Sequence, residues 1–378
     1  MEQRRKAAKV VEVVGRKSAA VTNENIGEEA AMNIHTESTI QTLQRRRVLA
    51  GLTALGAGAL LPGCQTAATG TPGQPHRIDI HHHYVPDAYV AALKAHKMRP
   101  VQWSVQMSLD ELDKSGIATG MISPPPPGIT FGDAAFRRKL ARDINEAGAK
   151  MASDHRSRFR LLATLPFASV EDSLAEIAYA YDTLKADGIS LMTSYNGKYL
   201  GDPSHWPILE ELNRRKAVVY THPTTPACCG GLQPFISINA IEGPVDTTRT
   251  MVSLMFQGGA AKFPDIQWIF SHSGGVTPFL LSRYQREEVE KDFKAAMPRG
   301  VMHELRKFHY DTAQGHHEGA LKALLAIIPT SQVLFGTDYP FWDGRKVTGD
   351  LVKGGLSIAD LMAIDRGNAL RLFPGLRV

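Results

Sequence analysis

Eight short apolar runs, each followed by a segment with helical spacing, occupy the chain from His76 onward. That alternation restricts the folds open to it more than any other feature. The runs are Arg77–His83, Ala118–Ser123, Arg160–Leu165, Gly188–Met192, Val218–His222, Ile266–His272, Phe308–Asp311 and Val333–Asp338. Between them lie helical patterns such as Asp133–His155, Val170–Ala186, Pro207–Arg215, Thr247–Phe263 and Glu318–Ile328. In Val170–Ala186 the residues Val170, Leu174, Ile177, Tyr181 and Leu184 recur at steps of three and four, which gives a helix one apolar stripe to bury. Repeated strand–helix units require parallel strands joined by right-handed crossovers. An α/β fold closed as a (β/α)8 TIM barrel accommodates eight of them in one domain. A doubly wound open sheet accepts the same periodicity.

Composition agrees with a folded α/β chain. Of 378 residues, 43% are hydrophobic and 21% charged, which excludes a predominantly disordered or coiled-coil chain. Three cysteines are too few for a disulfide scaffold. The net charge is +5, but residues 1–47 hold nine Lys/Arg against six Glu, so most of the excess belongs to the N-terminus. The body carries no basic stripe of the kind that binds nucleic acid.

Residues 1–75 read as a leader and linker, and 76–378 as the barrel. Arg45-Arg46-Arg47 stands directly before Val48–Leu61, an uncharged stretch too short to span a bilayer but suited to a secretory signal. The arrangement resembles a twin-arginine export signal. Leu61-Pro62-Gly63-Cys64 is similar to a lipobox, with proline where a small or β-branched residue is usual, and cleavage after Thr66-Ala67-Ala68 is the competing reading. The expectation is export to the periplasm or cell envelope, with membrane attachment only through a lipidated Cys64. A start at Met32 shortens the leader, and a leader without a targeting role leaves the chain in the cytoplasm. Gly70–Pro75 is a linker by composition.

The chemistry-bearing residues lie at strand ends. His81 and His83 close the first run two residues apart, so they share a strand face. His222 ends the fifth run, His272 the sixth and Asp338 the eighth. In a barrel these positions converge on the C-terminal face, where barrel active sites lie. Singly, each is as readily a packed histidine or a turn aspartate. Together, imidazole nitrogens and one carboxylate suit zinc or another borderline divalent cation.

Asp79-Ile80-His81-His82-His83, Thr221-His222-Pro223, Ser271-His272-Ser273-Gly274-Gly275 and Gly336-Thr337-Asp338-Tyr339-Pro340 resemble the amidohydrolase superfamily. More narrowly they are similar to its aminocarboxymuconate-semialdehyde decarboxylase-type branch. Asp79–Leu93, Leu191–Pro203 and Asp246–Arg249 resemble sequences labelled 6-methylsalicylate decarboxylase. The resemblance implies a TIM barrel with one metal per subunit held by His81, His83, His222 and Asp338. It implies His272 as a proton-transfer residue beside the metal, a ligand in some relatives, and leaves open whether His272 or Asp338 donates the proton. The intact His-x-His form favours zinc, with manganese as the alternative. The fourth run, Gly188-Ile189-Ser190-Leu191-Met192, has no lysine to bridge a second metal. Arg283 stands where the branch places a substrate-binding arginine that serves the adjacent subunit, which implies a homodimer.

Three further residues are candidates on position alone. Arg249 begins a helix beyond the fifth strand, and Tyr84 and Trp342 (beside Phe341) flank the ligand motifs and are candidate walls for an aromatic substrate. Surface or core packing is the plainer role for each. Cys228 and Cys229 are expected as free thiols.

The leading expectation is a metal-dependent non-oxidative decarboxylase (a carboxy-lyase) acting on a small hydroxylated aromatic acid. The alternative is a metal-dependent hydrolase of a lactone, amide or ester at the same site. A non-catalytic envelope binding protein on a decayed barrel is a third reading, and the complete ligand set argues against it.

Overall fold

A computed structural model describes residues 76–376 apart from 168, 227 and 230–234. The chain divides into two units, Met1–Thr69 and Gly70–Val378, and the described residues belong to the second. The expected leader, its arginines and Cys64 therefore lie outside the described residues. No helix among the described residues is long and apolar enough to cross a membrane.

Eight strands form one parallel sheet in chain order: β1 (Arg77–His83), β2 (Ile117–Ser123), β3 (Phe159–Thr164), β4 (Gly188–Met192), β5 (Val218–His222), β6 (Gln267–Phe270), β7 (His309–Asp311) and β8 (Val333–Leu334). The sheet closes on itself. Ile80 N–H donates to the Phe335 carbonyl at 3.0 Å, Asp338 N–H to His81 at 2.9 Å and His83 N–H to Tyr339 at 2.8 Å. Helices α1 (Val105–Lys114), α2 (Ala134–Asp154), α3 (Val170–Ala178), α4 (Trp206–Arg214), α5 (Glu242–Phe256), α6 (Thr277–Glu287), α7 (Glu318–Leu325) and α8 (Gly344–Lys353) make the outer layer. This is the (β/α)8 barrel, and the open doubly wound alternative is excluded.

The lumen is filled from below. Ile78, Ile80, Met121, Leu162, Val218, Tyr220, Ile269 and Leu334 form one buried cluster, packed against Ala369, Phe373 and Leu376 from the C-terminus. Outward-facing residues such as Ile122, Leu161, Ile189, Val219 and Phe270 join the larger core under the helices. A packed floor leaves side chains at the upper strand ends as the groups free to meet a ligand.

Strands β6 and β8 are shorter than the sequence pattern suggests. After β6 the chain turns left-handed at His272 (φ 54°) and Ser273 (φ 56°), which ends the ladder. After β8 the chain keeps bonding to β1 through the Phe335 carbonyl and Asp338 N–H, and turns left-handed only at Asp338 (φ 65°). The helical pattern at Thr247–Phe263 begins earlier, at Glu242, and breaks at Gly258, whose φ of 82° only glycine adopts cheaply.

Candidate metal centre

Strand alternation alone would send the wrong histidine inward. Ile78 and Ile80 face the lumen, so strict alternation continues with His82. Between Asp79 and His82 the register of β1 against β2 slips by one residue, a bulge that resets the phase. His81 and His83 then enter the lumen. His82 points outward, stacked on Tyr339 with its ring nitrogens facing Asp79 and Ser108. Asp79 secures both neighbouring ligand segments, accepting from His81 N–H at 3.0 Å and from the Thr337 N–H and hydroxyl at 3.0 and 2.6 Å.

The donor atoms converge. His81 Nε2 lies 3.2 Å from His83 Nε2 and 3.0 Å from Asp338 Oδ1, and His83 Nε2 lies 3.1 Å from that oxygen. His272 Nε2 is 3.4 Å from Asp338 Oδ2 and His222 Nε2 is 3.9 Å from Oδ1. Ligand atoms of His81, His222, His272 and Asp338 all fall within 4.8 Å of one another. Donors held at 2.0–2.1 Å by a tetrahedral cation stand about 3.3 Å apart, so the spacing fits one small divalent ion. His222 Nε2 is also buried without a hydrogen-bond partner, a cost that a coordinated cation removes.

The outer ring nitrogens separate the histidines into two kinds. His81 Nδ1 faces Asp311 at 2.8 Å, His83 Nδ1 the Ser123 carbonyl at 3.3 Å, and His222 Nδ1 the Pro223 carbonyl at 2.8 Å. Each acceptor engages Nδ1 and so aims Nε2 inward, the orientation of a metal-ligating imidazole. His272 Nδ1 has no hydrogen-bond partner among the described residues. Its outer nitrogen is not anchored as those of the other three are.

Electrostatics follow from this packing. Burial would raise the Asp338 carboxyl, but the charge of His81 and the facing His222 and His272 imidazoles outweigh it and hold Asp338 well below the usual carboxylate range. Burial lowers His83, and lowers His222 to about 3. Burial opposes the charge on His81 too, yet Asp338 and Asp311 lift it to about 10. A site that draws a positive charge between two carboxylates and keeps the other two imidazoles neutral is prepared for a cation.

A small cavity opens above the cluster, lined by His222, His272, Asp338, Gln314, Asn239 and Phe341 among others. Gln314 donates to Asp338 Oδ2, and the Phe341 ring meets His83 at 5.7 Å. No lysine or arginine lines this cavity among the described residues.

The other sequence candidates lie elsewhere. Tyr84 points away from the lumen, buried, with its hydroxyl donating to the Ile144 carbonyl of α2 at 2.7 Å, so it does not line this cavity. Trp342 packs its edge on His316, and its neighbour Phe341 is the aromatic residue at the cavity. Arg249 faces Glu242 at 3.8 Å and Cys229 Sγ at 3.7 Å, along a cleft on the α5–α6 side. Arg283 is exposed on α6. Cys228 and Cys229 form a disulfide between adjacent residues rather than two free thiols. A turn closed by Cys229 N–H on the Pro226 carbonyl at 3.1 Å folds the pair together. The sequence reading passed over Gln314 and Asp311. Asp311 ends β7 and carries the same strand-end signal that singled out Asp338, whereas Gln314 lies in a loop and carries none.

The amidohydrolase family model matches residues 78–375. A decarboxylase of Penicillium terrestre is 33% identical over 325 residues, covering 80% of this chain and 96% of that one. The 6-methylsalicylic acid decarboxylase of Penicillium expansum is 32% identical over 323 residues, covering 80% and 97%. Among solved structures, a manganese-bound dihydroxybenzoic acid decarboxylase from Polaromonas superposes with a TM-score of 0.72. It shares 20% identity and covers 81% of this chain and 98% of its own, a likeness of fold.

Proposed function

This chain belongs to the amidohydrolase family, and from that membership we propose that it is a metal-dependent, non-oxidative decarboxylase of a small hydroxylated aromatic acid of the 6-methylsalicylate type. The observation that carries the reading is identity above 30% to a 6-methylsalicylic acid decarboxylase across nearly that enzyme's whole length. The cluster of His81, His83, His222, His272 and Asp338 is the site it would use.

Direct loss of carbon dioxide from an aromatic acid leaves an aryl carbanion. Protonating the ring carbon that bears the carboxylate avoids this, because aromaticity returns as carbon dioxide departs. His81, His83, His222 and Asp338 would hold the metal; when bound, it supplies a fixed positive charge for the substrate carboxylate and an adjacent phenolic oxygen. Asp338 is held ionised by the imidazoles around it, so we assign proton delivery to His272, which lines the cavity with its Nδ1 unanchored. Phe341 offers a face to the aromatic ring.

Three neutral imidazoles and one carboxylate favour zinc, with manganese the alternative. Besides the metal, the substrate carboxylate calls for a cationic side chain, which this cavity does not supply from its own described residues. We assign it to Arg283 of a second copy in a homodimer, consistent with the exposure of that side chain. Residues 1–75 we read as an export leader that puts the activity in the cell envelope.

The test is product analysis on the zinc- and manganese-loaded protein. Carbon dioxide and the matching phenol from 6-methylsalicylate, salicylate or a dihydroxybenzoate are expected. Acid release from a lactone or ester panel, with no carbon dioxide from any aromatic acid, would reassign the site to hydrolysis.

A further inference from the structure

Asp311 is fully buried at the upper end of β7, and its carboxylate accepts four hydrogen bonds. Oδ2 faces His81 Nδ1 at 2.8 Å and accepts from the Tyr220 hydroxyl at 3.2 Å. Oδ1 accepts from His272 N–H at 2.8 Å and Ala313 N–H at 3.1 Å. The Asp311 carbonyl takes a further bond from Ser273 Oγ at 3.0 Å. One carboxylate thus spans β1 and the left-handed turn that carries His272. The close approach depends on Gly336, where a Cβ would lie 3.0 Å from both Asp311 Cβ and His81 Cβ.

We infer that Asp311 is the positioning residue of the site: it fixes the tautomer and orientation of His81 and anchors the turn that presents His272. His83 and His222 rest their Nδ1 atoms on backbone carbonyls, and only His81 rests on a carboxylate, the stronger acceptor. An outer carboxylate of this kind raises the basicity of the imidazole it holds and commonly governs metal affinity. Because the same group receives His272 N–H, ligand and proton donor are set by one side chain.

The inference rests on the metal-site reading above, and its test separates the two. In Asp311→Asn the amide oxygen remains with the two backbone N–H groups, which have no other acceptor among the described residues. The amide nitrogen then faces His81 Nδ1, and the imidazole proton is driven to Nε2, the atom that should bind metal. Zinc affinity, measured by competition with a chromophoric chelator, should fall about 10–100-fold. Turnover should return at saturating zinc, since the His272 turn keeps its acceptor. Asp311→Ala should lose affinity and also turnover at saturating zinc. This split between affinity and saturated turnover is one that general loosening of the fold would not produce.

Asn-variant zinc binding as tight as that of the unmodified chain overturns the inference. A second measurement needs no Asp311 variant to fold. NMR of histidine-labelled, zinc-loaded protein should give one Nδ1–H resonance downfield of the other ligands' that shifts in Tyr220→Phe. Its absence also overturns the inference. An unmodified chain that retains neither zinc nor manganese refutes the metal-site reading instead.

Discussion

His222 and His272 have rings 5.2 Å apart, yet the difference in how their outer nitrogens are held gives them different work. His222 is anchored through Nδ1 with Nε2 orphaned, so His222→Ala should abolish both bound metal and activity. Metal analysis of the purified variant checks this, and a stoichiometric ion in it would refute the ligand assignment. His272→Asn should keep its metal while losing about 10²–10⁴-fold in turnover, the range a positioned acid–base group contributes. If metal disappears with activity, His272 is a ligand. Below the site, burial lowers His309 to about 4. Its folded value lies under the ordinary 6.5, so its contribution to stability is present above pH 6.5 and drains away as pH falls towards 4. The loss amounts to about 3 kcal/mol once complete. His309→Gln should therefore flatten the fall in Tm between pH 6.5 and 4, and a fall as steep as in the unmodified chain would contradict it.

The element that most depends on its exact course is the turn after β6. His272 and Ser273 both take positive φ, a conformation that costs non-glycine residues energy and persists only where neighbours enforce it. The enforcers are Asp311, which receives His272 N–H and Ser273 Oγ, and Thr248, whose hydroxyl accepts from Val276 N–H at 2.9 Å. Gly275 (φ 66°) packs so closely on α5 that a Cβ there would run into the Pro244 carbonyl and lie 2.7 Å from Thr248 Oγ1. Gly275→Ala should cost at least about 1–3 kcal/mol. It should also lower turnover while metal content holds, because the turn moves and β1 and β5 do not. Thermal melts paired with metal analysis distinguish this from collapse of the whole site.

At the scale of the molecule, the site is a four-strand convergence whose cavity has no lysine or arginine among the described residues, and the proposed Arg283 contact would supply that charge. A buried substrate carboxylate without a partner typically costs about 2–5 kcal/mol relative to one held by a hydrogen-bonded cation at an interface. Arg283→Ala should weaken substrate use and leave bound metal unchanged. Arg283→Lys should rescue poorly, since an ammonium cannot make the two parallel contacts of a guanidinium. Mixing the Arg283→Ala and His272→Asn proteins should restore part of the activity, because one site of the mixed dimer then receives both intact groups. A fully active monomer, or a mixed dimer as inactive as its parents after proven subunit exchange, would end the proposal.

Periodicity along this chain determined eight strands alternating with helices, because apolar runs and amphipathic helices are local patterns that survive reading one residue at a time; their closed order came from the pairing of strands in the tertiary structure. The strand-end positions of His81, His83, His222, His272 and Asp338 were legible for the same reason: barrel closure brings every upper strand end to one face. What tertiary structure decided is what depends on partners far apart in sequence. The bulge in β1 that turns His81 and His83 inward is a property of its pairing with β2. The role of Asp311 exists only where β1, β7 and the turn after β6 meet across the lumen. Tyr84 and Trp342 stand near ligands in sequence but send their side chains to Ile144 and His316, because neighbours on a strand face opposite sides and a turn redirects each successive side chain.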